Sequence, residues 1–183
     1  MIHGCKVLGV IPARGGSKRC PRKNLLPFRG KPLLQWAIES ARDSDHLDHI
    51  VVSTEDAEIE HLARNLECEV VRRPFRLATD EATNEDVLRH VLVTHETDWV
   101  VLLQPTSPLR TGLDIDKAIE TVQNSDHHVC ISYNQNGKRN GAVYVSTAHW
   151  LKNGGNFSMY YAEPYFMPSE RSLDIDYPDQ FNG

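Results

Sequence analysis

The sequence of 183 residues lacks long hydrophobic runs, a linker and paired cysteines. Its longest apolar stretches, such as 99–103, have the length of one strand, and its start shows neither the apolar stretch nor the cleavage site of a signal peptide. We therefore expect a soluble, cytoplasmic protein. The four cysteines include no Cys-x-x-Cys pair, which favours reduced thiols over disulfides or zinc. Without a linker, residues 1–183 are expected to form a single domain.

The start of the chain also lacks acidic residues, since no aspartate or glutamate occurs before Glu39. Eight of the 20 lysines and arginines fall in the first 38 residues, and seven of these lie between Arg14 and Lys31. The rest of the chain contains the other 12 lysines and arginines and all 25 acidic residues, and the formal net charge of the whole chain is −5. The first part of the chain is therefore a positive region on an acidic protein.

Two familiar phosphate-binding motifs are absent, namely Gly-x4-Gly-Lys-Ser/Thr and Gly-x-Gly-x-x-Gly, which excludes the usual ATPase and Rossmann dehydrogenase interpretations. Instead, the apolar run 7–11 leads into Arg14-Gly15-Gly16-Ser17-Lys18. Small residues there let backbone N–H groups approach phosphate oxygens, and the cations that follow neutralise bound charge. The pattern predicts a triphosphate-binding loop. An ordinary solvated surface loop is the alternative interpretation.

Hydrophobic periodicity predicts alternating strands and helices. The predicted strands are 6–11, 49–53, 69–71, 99–103 and 128–133, and the predicted helices are 32–41, 57–66, 83–95 and 113–122. The third helix begins with a capping-box spacing from Thr83 to Asp86. This order indicates a largely parallel sheet covered on both faces, with ligands at the carboxyl ends of its strands. That rule brings the loops 14–24 and 104–110 to one site.

A pair of carboxylates near the end of the chain forms a candidate metal site. In an extended segment 172–176, Asp174 and Asp176 would point to the same face, while Leu173 and Ile175 could face the core. Paired carboxylates suit Mg²⁺, which prefers oxygen ligands, and polyphosphate transfer usually needs both a metal and a basic loop. An exposed acidic strand end or helix N-terminus is the alternative.

The nine histidines offer no comparable pattern. His127 and His128 would point to opposite faces of a strand, His90 and His95 are five residues apart, and no His-Glu-x-x-His occurs. We interpret all of them as surface or core residues.

Several segments together resemble the acylneuraminate cytidylyltransferases, also called CMP-sialic acid synthetases. The matching segments run in family order along the chain and are 11–18 (IPARGGSK), 23–25 (KNL), 51–54 (VVST), 73–74 (RP), 102–110 (LLQPTSPLR), 140–145 (NGAVYV) and 174–176 (DID). The resemblance implies an α/β, Rossmann-like nucleotidyltransferase fold with a mainly parallel sheet and helices on both faces. It also implies an enzyme that joins CTP to a sialic-acid-like 2-keto-3-deoxy sugar acid and releases a CMP-sugar and pyrophosphate.

The resemblance also implies roles for individual residues. Arg14, Lys18 and Lys23 would be catalytic, holding the triphosphate, and Asp174 and Asp176 would carry Mg²⁺ or Mn²⁺. The nucleotide-binding residues would be Ala13, Gly15, Gly16, Ser17, Asn24, Arg73, Asp80, Thr83 and Asn84. The sugar-acid-binding residues would be Gln104, Ser107, Arg110, Lys138, Arg139 and Asn140.

One departure from the family pattern concerns the connection before Asn140. Family members insert some tens of residues there, forming an arm that dimerises and reaches the partner's sugar site, whereas only 134–139 stand here. Lys138 also holds a position where the family tends to have arginine, which grips a carboxylate with a two-pronged fork. Without this arm we expect a monomer or weak homodimer. We also expect no nucleic-acid or membrane partner. Transfer to another sugar acid, or nucleotide binding with little catalysis, are the alternative functions.

Overall fold

The computed structural model describes residues 4–158 and 161–182. The strands within this part of the chain are β1 (Val7–Pro12), β2 (Pro27–Phe28), β3 (Lys31–Pro32), β4 (His49–Thr54), β5 (Glu69–Arg72), β6 (Trp99–Leu102), β7 (Val129–Tyr133), β8 (Arg139–Thr147) and β9 (Glu163–Phe166). The helices are α1 (Leu33–Arg42), α2 (Ala57–Asn65), α3 (Asn84–Val91), α4 (Gly112–Gln123) and α5 (Ala148–Lys152). Single helical turns cover Lys23–Leu25, Phe75–Leu77, Ser169–Arg171 and Pro178–Asn182.

Seven strands form one sheet in the order β5-β4-β1-β6-β8-β7-β9, and β2 and β3 form a separate hairpin. β1 is central and parallel to both neighbours, with Val10 opposite Val51 of β4 and Leu102 of β6. β8 is antiparallel to β6 and β7, and β9 is parallel to β7. The expected mainly parallel sheet is therefore confirmed, with β8 as its one reversed strand among the described residues.

Apolar side chains of β1 point to both faces of the sheet, and helices cover both faces. Val7 and Ile11 pack in the core formed with α1, α2 and α4. Leu8 and Val10 point the other way and pack in the core formed with α3 and α5. Side chains on both faces are fully buried, which explains why the run 7–11 is continuously apolar rather than alternating.

The strand order creates a switch point between β1 and β6. From β1 the chain moves outward through β4 and β5, and then returns to β6 on the other side of β1. Loops that leave β1 and β6 therefore diverge and open a crevice at the carboxyl ends of these strands. The basic loop after Pro12 and the loop after Leu102 line this crevice, as the order of elements predicted.

Two expectations about elements need correction. The predicted helix 83–95 ends at Val91, and residues 92–94 form a tighter turn in which the N–H groups of Val93 and Thr94 donate to carbonyls three residues back. Its capping box from Thr83 to Asp86 is confirmed. The hydrophobic periodicity predicts no strand or helix between residues 133 and 172, whereas the structure contains β8, α5 and β9 there. None of the described helices is long and apolar enough to span a membrane. The single-domain organisation of residues 1–183 stays a prediction.

Candidate active site

A cleft of about 350 Å³ lies at the switch point. Half of the 20 residues expected at the site line it: Arg14, Lys23, Asn24, Arg73, Asp80, Thr83, Asn84, Gln104, Asp174 and Asp176. The other lining residues are Pro12, Leu77, Thr79, Ala82, Val87, Pro105 and Thr106. Segments separated by more than a hundred residues thus converge on one space that has cations on one side and carboxylates on another.

The basic loop is held against the segment that precedes α3. Arg14 forms an ion pair with Asp80 at 2.9 Å and donates from Nη1 to the Thr79 carbonyl at 3.1 Å. Lys18, whose side chain is 84% exposed, pairs with the same carboxylate. The hydrogen bonds from Lys18 and Arg14 lower the pKa of Asp80. A bound polyphosphate would compete with Asp80 for both cations, because its oxygens offer them more negative charge.

The backbone of Gly15 is held by Glu55, a residue that was not expected at the site. The Gly15 N–H donates to Glu55 Oε1 at 2.8 Å, and a Cβ at this position would clash with the Asp56 carboxylate. The Gly15 N–H therefore faces Glu55, which corrects the expectation that it approaches phosphate. Gly16 and Ser17 lie outside the cleft lining and Ala13 is buried, its N–H donating to the Ser53 carbonyl at 3.0 Å.

Glu55 also holds Arg73, which lines the cleft. The Arg73 Nε donates to Glu55 Oε2 at 3.1 Å, and the two side chains are only 3% and 8% exposed. Burial lowers the pKa of Arg73, and the Glu55 carboxylate opposes this effect. One buried carboxylate thus positions both the glycine turn of the basic loop and a cationic wall of the cleft. Its location directly after β4, at the carboxyl edge of the sheet, was the available sequence signal.

Replacing Glu55 with glutamine is expected to lower the free energy of unfolding by about 3 kcal/mol, because Arg73 would stay buried without an opposite charge. Urea denaturation measures this change. The matched control is Glu58→Gln, which removes an exposed partner of Arg22 and should change stability by less than about 1 kcal/mol. Equal losses for the two variants would contradict a positioning role for the buried pair.

The end of the basic loop is anchored at two points. The buried Asn24 side chain donates from Nδ2 to the Arg14 carbonyl at 3.0 Å, so it clamps the loop across its base. Lys23 reaches the other side of the cleft and donates from Nζ to Asp176 Oδ1 at 2.9 Å. Lys23 therefore connects the basic loop directly to the pair of carboxylates.

Asp174 and Asp176 both line the cleft, as their spacing predicted, while Ile175 between them is fully buried. The Ile175 N–H donates to the Thr106 carbonyl at 2.8 Å, and the Thr106 side chain hydrogen-bonds the Asp174 carboxylate. Thr106, on the loop after β6, is therefore a positioning residue that was not expected at the site. It fixes the carboxylates next to the switch point.

The two carboxylates differ in their electrostatic surroundings. Burial raises the pKa of Asp174, and the nearby Asp176 charge adds to the increase despite the hydrogen bond from Thr106. Asp176 is also partly buried, but ion pairs with Lys23 and Arg19, each at 2.9 Å, outweigh this and lower its pKa. The surroundings of Asp174 thus disfavour its negative charge, which a bound cation would stabilise. The two carboxylates offer oxygen donors, and the charge of Asp174 is the one that its neighbours balance less. This pair suits a divalent cation that prefers oxygen ligands.

Gln104 approaches the same corner of the cleft. Its Oε1 would lie 2.6 Å from a Cβ built on Gly141, and Asp174 Oδ2 would lie 3.8 Å from that Cβ. Gly141 also has a φ of +73°, a backbone conformation that residues with a side chain rarely adopt. Glycine at the start of β8 therefore leaves room for the Gln104 amide beside the carboxylates.

Three residues expected to contact the sugar acid are internal instead. Arg110 is 2% exposed, and donates to the carbonyls of Gln104 and Ala142 and to the Ser40 hydroxyl. Burial lowers its pKa to about 10, although the Asp114 charge opposes this. Ser107 and Asn140 are buried in the same way, and their polar atoms bond within the protein. These three side chains therefore support the loops around the cleft. They are buried and do not reach its surface, where the sugar acid was expected to contact them.

The remaining expected sugar-acid residues lie on the turn between β7 and β8. Lys138 and Arg139 are exposed and outside the cleft lining, and Arg139 Nε donates to the Tyr133 hydroxyl at 3.3 Å. The turn is closed by a bond from the Asn134 N–H to the Lys138 carbonyl at 2.8 Å, and Gly137 has a φ of +74°. The connection is therefore a tight hairpin and not an extended arm.

A model of the cytidylyltransferase family matches residues 8–153. This chain belongs to the cytidylyltransferase family. The matched range includes the basic loop, Glu55 and the loop after β6, whereas Asp174 and Asp176 lie beyond it. The geometry of the cleft is therefore what connects these carboxylates to the other residues of the candidate site.

Two curated relatives illustrate the family. The chain is 30% identical to the N-acylneuraminate cytidylyltransferase of Escherichia coli O18:K1:H7, across 93% of this chain and 49% of the relative. It is also 30% identical to the CMP-N,N'-diacetyllegionaminic acid synthase of Legionella pneumophila, across 94% of this chain and 92% of the relative. The chain thus spans about half the length of the N-acylneuraminate cytidylyltransferases that it matches.

Solved structures confirm the nucleotidyltransferase fold. A CMP:2-keto-3-deoxy-manno-octonic acid synthetase complexed with CTP aligns with a TM-score of 0.83 at 18% identity, covering 97% of this chain and 95% of that one. A complex of Rv0371c from Mycobacterium tuberculosis H37Rv with manganese aligns with a TM-score of 0.69 at 15% identity, covering 97% and 96%. At such identities the likeness concerns the fold alone.

Proposed function

We propose that this cytidylyltransferase transfers CMP from CTP to a sialic-acid-like nonulosonic acid. The observation that carries the proposal is the convergence of Arg14 and Lys23 with Asp174 and Asp176 on one cleft at the switch point. Cations are needed for the triphosphate, and paired carboxylates for a divalent ion that accompanies it. The names of the relatives from Escherichia coli and Legionella pneumophila support a nonulosonic acid as the acceptor.

In the proposed reaction, the anomeric hydroxyl oxygen of the sugar acid forms a bond to the α-phosphorus of CTP. The bond from this phosphorus to the bridging oxygen breaks, pyrophosphate leaves with the electron pair, and the hydroxyl proton passes to solvent water. Arg14 and Lys18 would face the departing phosphates and balance their increasing charge, and Lys23 would hold the α-phosphate side. Because little covalent chemistry is asked of the protein, its main contribution is to orient two anionic reactants.

The cytidine would occupy the part of the cleft next to the start of α3. Leu77, Ala82 and Val87 give this part an apolar wall suited to a base, and Thr83 and Asn84 supply polar groups at its edge. The Thr83 hydroxyl is already bonded to Asp86 in the capping box, so Asn84 has the freer side chain for recognition. We therefore assign Asn84 the more direct contact with the nucleotide.

A divalent cation, Mg²⁺ or Mn²⁺, would be held by Asp174 and Asp176. Such an ion neutralises phosphate charge and orients the triphosphate when it is bound. The charge of Asp174, which its neighbours balance less, fits this role, and the manganese complex of the fold neighbour Rv0371c is compatible with it. Lys23, which contacts Asp176, would share that carboxylate with the ion.

The proposal is tested by measuring pyrophosphate release with CTP, UTP, ATP and GTP against a panel of nonulosonic and shorter sugar acids. We expect release with CTP and a nonulosonic acid, dependent on Mg²⁺ or Mn²⁺ and stopped by EDTA. Equal release with ATP and CTP would reject the cytidylyl assignment. Release with CTP that prefers another sugar acid would reject only the acceptor.

The tight hairpin between β7 and β8 leads to a prediction about assembly and acceptor affinity. With no arm at this position, we expect a monomer or weak dimer and an acceptor site lined by one chain. The acceptor KM should be about 1 mM or higher, at the upper end of the usual range. Sedimentation velocity at micromolar concentration and acceptor kinetics measure both quantities. A tight dimer with a KM below about 0.1 mM would show that another surface performs the arm's role.

A further inference from the structure

Three side chains meet at the end of the sheet opposite the cleft. His49 begins β4, Glu69 begins β5, and His95 lies in the turns after α3 and before β6. One nitrogen or oxygen atom from each lies within 4.8 Å of the other two. The cleft is at the carboxyl ends of the parallel strands and this cluster is at their amino ends, so it does not belong to the proposed active site and does not depend on it.

The Glu69 carboxylate lies between the two rings. The His49 Nε2 is 2.6 Å from Glu69 Oε2, and the His95 Nε2 is 3.1 Å from Glu69 Oε1. The two imidazoles are stacked, with centroids 5.8 Å apart and an interplanar angle of 20°. Each carboxylate oxygen therefore faces one ring nitrogen, and the three groups surround a common point.

The other nitrogen of His95 contacts the protein and orients the ring. Nδ1 lies 3.3 Å from the Val91 carbonyl oxygen and 3.0 Å from the Thr94 hydroxyl, which itself donates to that carbonyl. These two contacts hold the ring by its Nδ1 side. Nε2 is thereby oriented toward Glu69. A backbone carbonyl that orients a histidine in this way is typical of metal-binding histidines.

The same three atoms can coordinate one metal ion, because such an ion takes the place of any hydrogen between the ring nitrogens and the carboxylate. Two histidines and a carboxylate are a donor set suited to Zn²⁺ and related transition metals. We propose that His49, Glu69 and His95 form a binding site for a divalent transition metal ion such as Zn²⁺.

The site has the access and protonation state that metal binding requires. The side chains of His49 and Glu69 are about half exposed, so an ion can enter from solvent. Burial acts to raise the pKa of Glu69, but hydrogen bonds from His49 and His95 outweigh it, and the pKa lies below its usual value. The carboxylate is thus ionised at neutral pH. A bound ion would fasten the turn after α3 to β4 and to the edge strand β5.

Titration calorimetry with Zn²⁺ on the untagged protein tests the site at about pH 7.5, with excess Mg²⁺ present to occupy the oxygen ligands of the cleft. We expect one Zn²⁺ per chain. His95→Ala and Glu69→Gln should each weaken the affinity at least about tenfold, since even changes behind a metal ligand have effects of that size. The matched control is His61→Ala, an exposed histidine on α2 whose Nε2 contacts Asn65.

Two further readouts separate loss of a ligand from loss of the fold. Circular dichroism should show wild-type spectra for all three variants, and Zn²⁺ should raise the thermal unfolding midpoint of the wild type and His61→Ala but not of His95→Ala. Binding should also fade at about pH 5.5, because protons compete for the imidazoles. No Zn²⁺ uptake by the wild type, or undiminished uptake by His95→Ala and Glu69→Gln, would overturn the proposal.

Discussion

Replacing Asp174 with asparagine is expected to lower kcat by on the order of 10² or more at saturating Mg²⁺. The substitution keeps the size of the side chain and its hydrogen bond with Thr106 but removes an anionic oxygen donor from the cleft. Asp176→Asn should reduce kcat similarly, because it removes the second donor and releases Lys23. Steady-state kinetics with CTP and a nonulosonic acid measure both effects.

The two substitutions should act in opposite directions on stability. The folded pKa of Asp174 is raised, so its contribution to stability is present below the unfolded pKa, near 4, and is lost as the pH rises through the folded pKa. Asp174→Asn should therefore raise the free energy of unfolding at pH 7. The folded pKa of Asp176 is lowered, so its contribution is present above the unfolded pKa and is lost as the pH falls. Asp176→Asn should lower stability at pH 7.

The control for both variants is Asp179→Asn, an exposed carboxylate in the same terminal segment that lies outside the cleft lining. It should leave kcat within about twofold, as expected for a surface substitution. If Asp174→Asn retains nearly wild-type turnover, the cation binds elsewhere and Asp174 has a structural role. If it loses activity together with stability, the loss does not isolate the metal site.

Arg14→Ala should lower kcat/KM by roughly 10² or more, because it removes a cation fixed at the cleft by bonds to Asp80 and Thr79. Lys18→Ala should have a smaller effect, about tenfold, since its ammonium group is mostly exposed and screened by solvent. This order of effects follows from the structure and not from the sequence, in which the two residues are equivalent parts of one motif.

Arg29→Ala is the control for the basic loop. Arg29 belongs to the same positive region, but its guanidinium lies 5.1 Å above the Phe28 ring in the β2–β3 hairpin and outside the cleft lining. It should change kcat/KM by less than about threefold. Similar losses for Arg14, Lys18 and Arg29 would indicate a diffuse electrostatic attraction and would reject a defined phosphate site.

The sequence predicted those features of the site that follow from local patterns. The apolar run 7–11 gave the central strand, and the order of elements placed the loops after β1 and β6 at one edge. The spacing of Asp174 and Asp176 predicted that both would point to one face, and both line the cleft while Ile175 is buried.

Residues whose roles depend on packing could not be predicted in this way. Arg110 reads as a ligand-binding arginine at the end of a loop, but its burial beneath that loop is decided by contacts with Ser40 and Ala142. Glu55 looks like a surface acid after a strand, and only the fold brings it to Gly15 and Arg73.

The histidine cluster was even harder to predict from the sequence. His49, Glu69 and His95 are separated by 20 and 26 residues, so no metal-binding spacing connects them. They meet because β4 and β5 are neighbours and α3 ends beside them.

The central claim is that this chain joins CMP to a nonulosonic acid, and a ³¹P NMR spectrum of an incubation with CTP, Mg²⁺ and that acid tests it most directly. We predict equal amounts of pyrophosphate and a new phosphodiester signal from the CMP-sugar, both absent when the acid is omitted or when Asp174→Asn replaces the wild type. Release of inorganic phosphate with CDP, or the same phosphodiester yield from UTP or ATP, would contradict the account.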